Sequence, residues 1–197
     1  MSAFLPDWLE QLDTDLFLHI NGWNSEAGDV LFKWLSYKYS WIPFYLWLII
    51  ELVRAYGKKA WMTILVALVL VTATDQISTA MKNNSMRLRP CHEPALVGKV
   101  HTVDGACGGR YGFVSSHAAN TIALSLVLWV LLPARRKILG PCFVLYVLFN
   151  GYSRVYLGAH YPLDIVGGWS LGVLCAYAIS RLALRMEPIK NTHGTNV

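Results

Sequence analysis

Charge is scarce in this sequence. Asp, Glu, Lys and Arg make up 15% of the 197 residues while 55% are hydrophobic, a balance that excludes an ordinary soluble domain, about a quarter of which is charged. Also missing is any massed basic block. The 17 Lys and Arg against 12 Asp and Glu leave a formal charge of +5, but these cations are scattered between apolar segments, which argues against nucleic acid and for anionic lipid and phosphate as partners. No cleavable leader is expected, because the first twenty residues carry Asp7, Glu10, Asp13 and Asp15 and lack a basic stretch ahead of an apolar one. The first transmembrane segments would then direct insertion. Several apolar runs fall short of the roughly 20 residues that cross a bilayer, so the helices must extend into the polar residues at the run ends. What is abundant suits a membrane: 8 Trp and 10 Tyr, whose amphipathic rings are stabilised where headgroups meet hydrocarbon.

Residues 5–21 space Leu5, Leu9, Leu12, Leu16 and Ile20 by three and four with acidic residues between them, which predicts an amphipathic helix within 1–24 that lies on the membrane surface, on the rest of the protein, or on both. Apolar segments follow at 27–39, 41–53, 60–81, 116–132, 138–152 and 163–185. The expected fold is therefore all-α: one polytopic membrane bundle over 1–197, with six transmembrane helices behind the surface helix. Basic residues occupy alternate connections and the tail, as Arg54, Lys58, Lys59, then Arg135, Arg136, Lys137, then Arg181, Arg185 and Lys190. The positive-inside rule places these in the cytoplasm, together with both termini. The long connection 82–115 and the short one at 153–162 then face outward.

Of the four cysteines, Cys142 and Cys175 sit inside apolar segments as small packing residues. Cys91 and Cys107 lie in the outward connection, where an oxidising compartment permits a disulfide that closes a Gly-rich loop, although two free thiols remain the alternative.

Three polar clusters stand at the outward ends of the later segments: Lys82 with Arg89-Pro90, Ser115-Ser116-His117, and Ser153-Arg154 with His160 and Asp164. Lys82, Arg89 and Arg154 supply three cations of the kind that stabilise the spread charge of a phosphoryl group in flight. Each alone could simply snorkel at the interface. Ser115-Ser116-His117 precedes an apolar run and should begin a helix, whose free N–H groups and dipole favour an anion. Ser115 is either a phosphate ligand or an N-cap, and His117 is placed to act as a general acid. His160 and Asp164 are four apart near the start of the last helix, with Pro162 suited to its first turn. The carboxylate can therefore hold one imidazole nitrogen and leave the other free to attack. Asp75 lies two turns before Lys82 and should pair within the bundle or serve the site. Arg87, His92, Glu93, His101, Asp104 and Arg110 are expected as solvated loop residues that could touch a headgroup. His19 and His193 have no partner visible in the sequence.

The spacing Lys82 to Arg89-Pro90, and the run Ser153-Arg154, His160, Asp164, resemble the first and third motifs of the type 2 phosphatidic acid phosphatase, or PAP2, superfamily. That superfamily also contains bacterial acid phosphatases and vanadium haloperoxidases. Its middle motif, Pro-Ser-Gly-His, is met in part by Val114, Ser115, Ser116 and His117, with Ser116 where the family has glycine. The motif core covers roughly 75–170. The resemblance implies a helical bundle, a phosphohistidine on His160, orientation of that ring by Asp164, and leaving-group protonation by His117. It also implies phosphate contacts from Lys82, Arg89, Ser115, the Ser116 backbone and Arg154, with no cofactor and no metal.

The expected activity is removal of the terminal phosphate from a lipid phosphate or diphosphate. Polyprenyl diphosphate comes first, with lipid A or phosphatidylglycerophosphate as alternatives, in a bacterial inner membrane with the site facing the periplasm or exterior. A non-enzymatic anion or lipid transporter would explain the cations but not His160 with Asp164. A soluble haloperoxidase relative conflicts with the apolar segments. Nothing in the sequence reads the oligomeric state.

Overall fold

The computed structural model describes residues 5–105 and 107–186. They form helices α1 (Asp7–Gly22), α2 (Glu26–Ser36), α3 (Ile42–Tyr56), α4 (Ala60–Ser85), α5 (Ser116–Leu131), α6 (Arg136–Tyr156) and α7 (Pro162–Ala183), joined by short 3-10 turns. No named strand occurs among the described residues, and one isolated bridge, Leu88 to Tyr111, closes the base of the loop after α4.

Three stretches are long and apolar enough to cross a membrane: Lys38–Ser85, which holds α3 and α4, then Pro133–Tyr156 and Pro162–Ala183. Helix α5 is a shorter apolar helix. Helix α2 ends three residues short of its expected segment 27–39. Its 11 residues rise about 16 Å, roughly half the hydrocarbon thickness. The apolar residues around the bundle point outward. Ile50 on α3, Leu68 on α4, Leu145 on α6 and Leu174 on α7 are all exposed, as lipid-facing side chains must be. Inside, Leu48, Leu52, Leu70, Val127, Leu139 and Phe143 form the main core.

Helices α5 and α7 approach most closely, and small residues are the reason. A Cβ at Gly168 would stand 2.5 Å from the Ser115 carbonyl oxygen, and one at Gly172 would stand 2.4 Å from that of Ala119. Such positions let backbones meet. The close packing brings the first turns of α5 and α7 side by side.

Helix α1 reverses part of its expected packing. The buried stripe is Asp13, Phe17 and Asn21, while Leu12 and Leu16 face outward with Trp8. Phe17 packs edge-on against Tyr161, with ring centroids 5.4 Å apart, and Asn21 donates to the carbonyls of His101 and Tyr156 at 2.9 and 2.7 Å. The helix is thus seated on the protein and presents apolar side chains away from it.

At the opposite end, Glu51 is buried and accepts from Arg54 Nη1 at 2.9 Å and Arg135 Nε at 2.8 Å. Two of the basic connections therefore share one end of the bundle. Helix α4, 26 residues long and so about 39 Å, separates that end from Lys82. Of the basic residues used to orient the chain, Lys190 lies outside the described residues, as does His193.

Candidate active site

His160 sits in the tight connection between α6 and α7. The Arg154 carbonyl accepts the N–H groups of Ala159 and His160 at 3.0 and 3.2 Å, so the connection folds back on the end of α6. The imidazole is 1% exposed, and its Nδ1 lies 3.3 Å from Asp164 Oδ2. Asp164 is fully buried in the first turn of α7. Its Oδ2 also accepts the Tyr161 N–H at 3.0 Å, its Oδ1 accepts Arg87 Nη1 at 2.8 Å, and its backbone carbonyl accepts the Ser115 N–H at 2.9 Å. Gly112 closes over this group. A Cβ there would fall 2.8 Å from Asp164 Oδ2, so only glycine lets the loop approach.

Three cations come from three elements. Lys82, in the last turn of α4, donates through Nζ to Ser116 Oγ, which is also 2.6 Å from Ser78 Oγ. Arg89, in the loop, donates Nε to the Tyr111 carbonyl at 3.2 Å and Nη1 to the carbonyls of Cys107 and Ala159, each at 3.3 Å. Arg154, at the end of α6, donates Nη1 to Ser36 Oγ on α2. Burial first, then the charges of Arg89, Arg154 and Lys82, hold the His160 imidazole well below its ordinary pKa, while a backbone hydrogen bond with Gly112 acts the other way. The cations thus converge electrically on this ring and disfavour its protonated form.

Ser115 caps α5. Its Oγ accepts the Ala118 N–H at 3.4 Å and the residue is fully buried, so the cap is the role its geometry fills. Ser116 faces Lys82 instead. His117 is exposed into a groove of about 540 Å³. Ser36, Asp75 and Ser116 line the polar end of that groove, and Leu48, Ile49, Leu52, Ile64, Leu68 and Val71 line the apolar remainder. Ser116 and Ser36, at the polar end, are the partners of Lys82 and Arg154.

Cys91 and Cys107 meet as a disulfide with Cα atoms 6.1 Å apart. Cys142 and Cys175 are free. Among the remaining loop residues, His101 bonds Asp29 Oδ1 through Nε2 at 2.7 Å, Asp104 pairs with Lys33, and His92 bonds the Gly108 carbonyl at 3.2 Å.

Arg87 corrects the sequence reading. Expected as a solvated loop residue, it is 2% exposed and pairs with both Asp13 and Asp164. The signal was the alternation Arg87-Leu88-Arg89: in an extended segment, residues two apart share a face, so Arg87 follows Arg89 toward the interior. Asp13, Ser36 and Ser78 were also missed, each being polar and contacted only through the fold.

A family model described as PAP2 superfamily matches residues 39–186. The chain is 34% identical over 169 residues to a lipid A 4'-phosphatase of Bacteroides thetaiotaomicron, covering 84% of this chain and 74% of that one. It is 30% identical over 159 residues to an undecaprenyl-diphosphatase of Sulfolobus acidocaldarius, covering 78% and 68%. The crystal structure of a transmembrane PAP2-type phosphatidylglycerolphosphate phosphatase from Bacillus subtilis has the same fold, with a TM-score of 0.71 at 18% identity over 94% of this chain and 90% of that one. With the family model spanning residues 39–186, most of its length, this chain belongs to the PAP2 superfamily.

Proposed function

We propose that this chain is an integral-membrane lipid phosphatase that transfers a phosphoryl group first to His160 and then to water. The observation that carries the reading is a buried, carboxylate-backed imidazole that feels the charges of Lys82, Arg89 and Arg154, two of which bond Ser116 and Ser36 at the polar end of an apolar groove. In the first step the free imidazole nitrogen forms a bond to phosphorus, the bond to the lipid oxygen breaks, and His117 gives that oxygen its proton. In the second, water forms a bond to phosphorus and gives its proton to His117, the phosphorus–nitrogen bond breaks with its electron pair returning to the His160 ring, and phosphate leaves. Lys82, Arg89 and Arg154 hold the equatorial oxygens throughout. With these cations supplying charge neutralisation, turnover proceeds without added divalent metal.

Similarity to lipid A 4'-phosphatase over 84% of the chain favours a phosphorylated glycolipid as substrate, and so moves polyprenyl diphosphate from first place to second. The similarity to an undecaprenyl-diphosphatase supports that second reading. The enzyme acts in a bacterial inner membrane with its site toward the periplasm, opposite the Arg54 and Arg135 connections.

The test is phosphate release from lipid A, undecaprenyl diphosphate and phosphatidylglycerophosphate in matched micelles, with and without EDTA. Release should be fastest from lipid A, unaffected by EDTA and absent in His160→Ala. Anion flux in proteoliposomes with no phosphate released from any lipid would make the protein a transporter instead.

A further inference from the structure

Helix α1 is tied to the carboxylate of the candidate site through Arg87. Arg87 is almost fully buried and lies between two carboxylates, with Nη2 2.6 Å from Asp13 Oδ2 on α1 and Nη1 2.8 Å from Asp164 Oδ1 on α7. The Tyr161 ring covers its guanidinium face, 4.3 Å from Cζ, and among the described residues its Nε makes no hydrogen bond. The two carboxylates and that ring therefore fix its orientation. Asp13 is anchored in turn, because its Oδ1 accepts the Leu163 N–H at 2.9 Å.

We propose that Arg87 and Asp13 are positioning residues, a buried Asp13–Arg87–Asp164 chain that sets the plane of the carboxylate holding His160. This rests on the reading of His160 as nucleophile. Asp164 has one oxygen for Arg87 and the other for His160 and the Tyr161 N–H. A guanidinium facing a lone carboxylate closes over both oxygens as a fork, which would take Oδ2 from the imidazole. Asp13 pulls on the other amino group of Arg87 and prevents that closure. Oδ2 stays with His160, the proton stays on Nδ1, and the opposite ring nitrogen keeps its lone pair for phosphorus. Helix α1, whose outward face carries Trp8 at 69% and Leu12 at 57% exposure, is then part of the catalytic apparatus.

The experiment compares wild type, Asp13→Asn, Arg87→Lys and Arg87→Met in detergent, using phosphate release from a lipid phosphate and 15N spectra of labelled imidazoles, with the His160 signal assigned by its loss in His160→Ala. Asp13→Asn keeps the acceptor for Leu163 and should fold. Its kcat should fall about tenfold, in the range seen when groups that orient active residues are removed, with KM changed less than about twofold. Arg87→Met should fall further, Arg87→Lys should recover part of the loss, and the His160 proton should leave its fixed place on Nδ1. The spectra report on the chain even where no lipid is turned over, so a failure of the phosphatase reading remains distinguishable. Folded Asp13→Asn with wild-type kcat and an unchanged tautomer would overturn the proposal. So would a loss in Arg87→Met confined to KM, which would make Arg87 a phosphate contact.

Discussion

Gly172 lies directly beneath the Ala119 carbonyl, so close that any Cβ would stand 2.4 Å from that oxygen. Helices α5 and α7 consequently touch backbone to backbone, and the Ser115 N–H reaches the Asp164 carbonyl. Substituting Gly172→Leu forces the helices apart, an overpacking that costs about 2 kcal/mol or more. The expected result is a lower unfolding midpoint in detergent together with lost phosphate release, because separating α5 from α7 separates His117 from His160. Gly22→Ala, at the end of α1 with open space around it, is the control and should shift stability by no more than about 0.5 kcal/mol. Equal behaviour of the two variants would remove the close contact as the determinant.

The placement of the candidate side chains was legible wherever it follows from short spacing. His160 and Asp164 are one helical turn apart, Ser115 precedes an apolar run, and Pro162 opens a helix, so local rules placed all of them. Lys82, Arg89 and Arg154 were legible as a set because they fall at the same ends of successive segments. Helix α1 was not. Its leucine spacing suggested an apolar contact face, yet the buried stripe runs through Asp13, because the partner that makes a carboxylate tolerable there is Arg87, 74 residues away. A buried ion pair of that separation leaves no periodic trace in either segment. The length of α2 was hidden for a different reason: apolar residues continue past Ser36, while the helix ends at Tyr37, whose backbone is extended, and Trp41 Nε1 donates to the Leu35 carbonyl.

The neutrality of His160 has a kinetic signature. Burial and three cations depress its pKa, so the proposed nucleophile stays unprotonated below the ordinary imidazole value of about 6.5. The acid limb of kcat/KM should accordingly lie below that value. Removing one repelling charge with Arg89→Gln makes the imidazolium less unfavourable, so the limb should move to higher pH while the plateau falls. The substrate phosphate titrates near pH 6, but identically for both enzymes, so the difference between their profiles isolates the protein. Coincident limbs would show that His160 does not set them.

One residue into α5, His117 opens onto the groove that Ser116 and Asp75 also line. That is where the lipid oxygen departs if the chain occupies the groove. His117→Ala should therefore slow release from an alkyl lipid phosphate by about a hundredfold or more. An aryl phosphate with a good leaving group needs little protonation and should lose far less when expulsion is rate-limiting. Equal loss on both substrates would assign His117 to binding or water activation alone.

The disulfide closes its loop around Arg89, the proposed phosphate contact. Cys91 follows Arg89 by two residues, and the Cys107 carbonyl accepts from Arg89 Nη1. Opening a loop with a sequence separation of 16 releases chain entropy worth about 3 kcal/mol, and it also loosens one of the acceptors that aim the guanidinium. Cys91→Ser with Cys107→Ser should thus lower the unfolding midpoint and raise KM for the lipid phosphate, while kcat, set by His160 and its carboxylate, changes less. Reductant should have the same effect on the wild type and none on the double variant. A KM that is unchanged while the midpoint falls would confine the bridge to stability, because Arg89 would then keep its aim through the carbonyls of Tyr111 and Ala159.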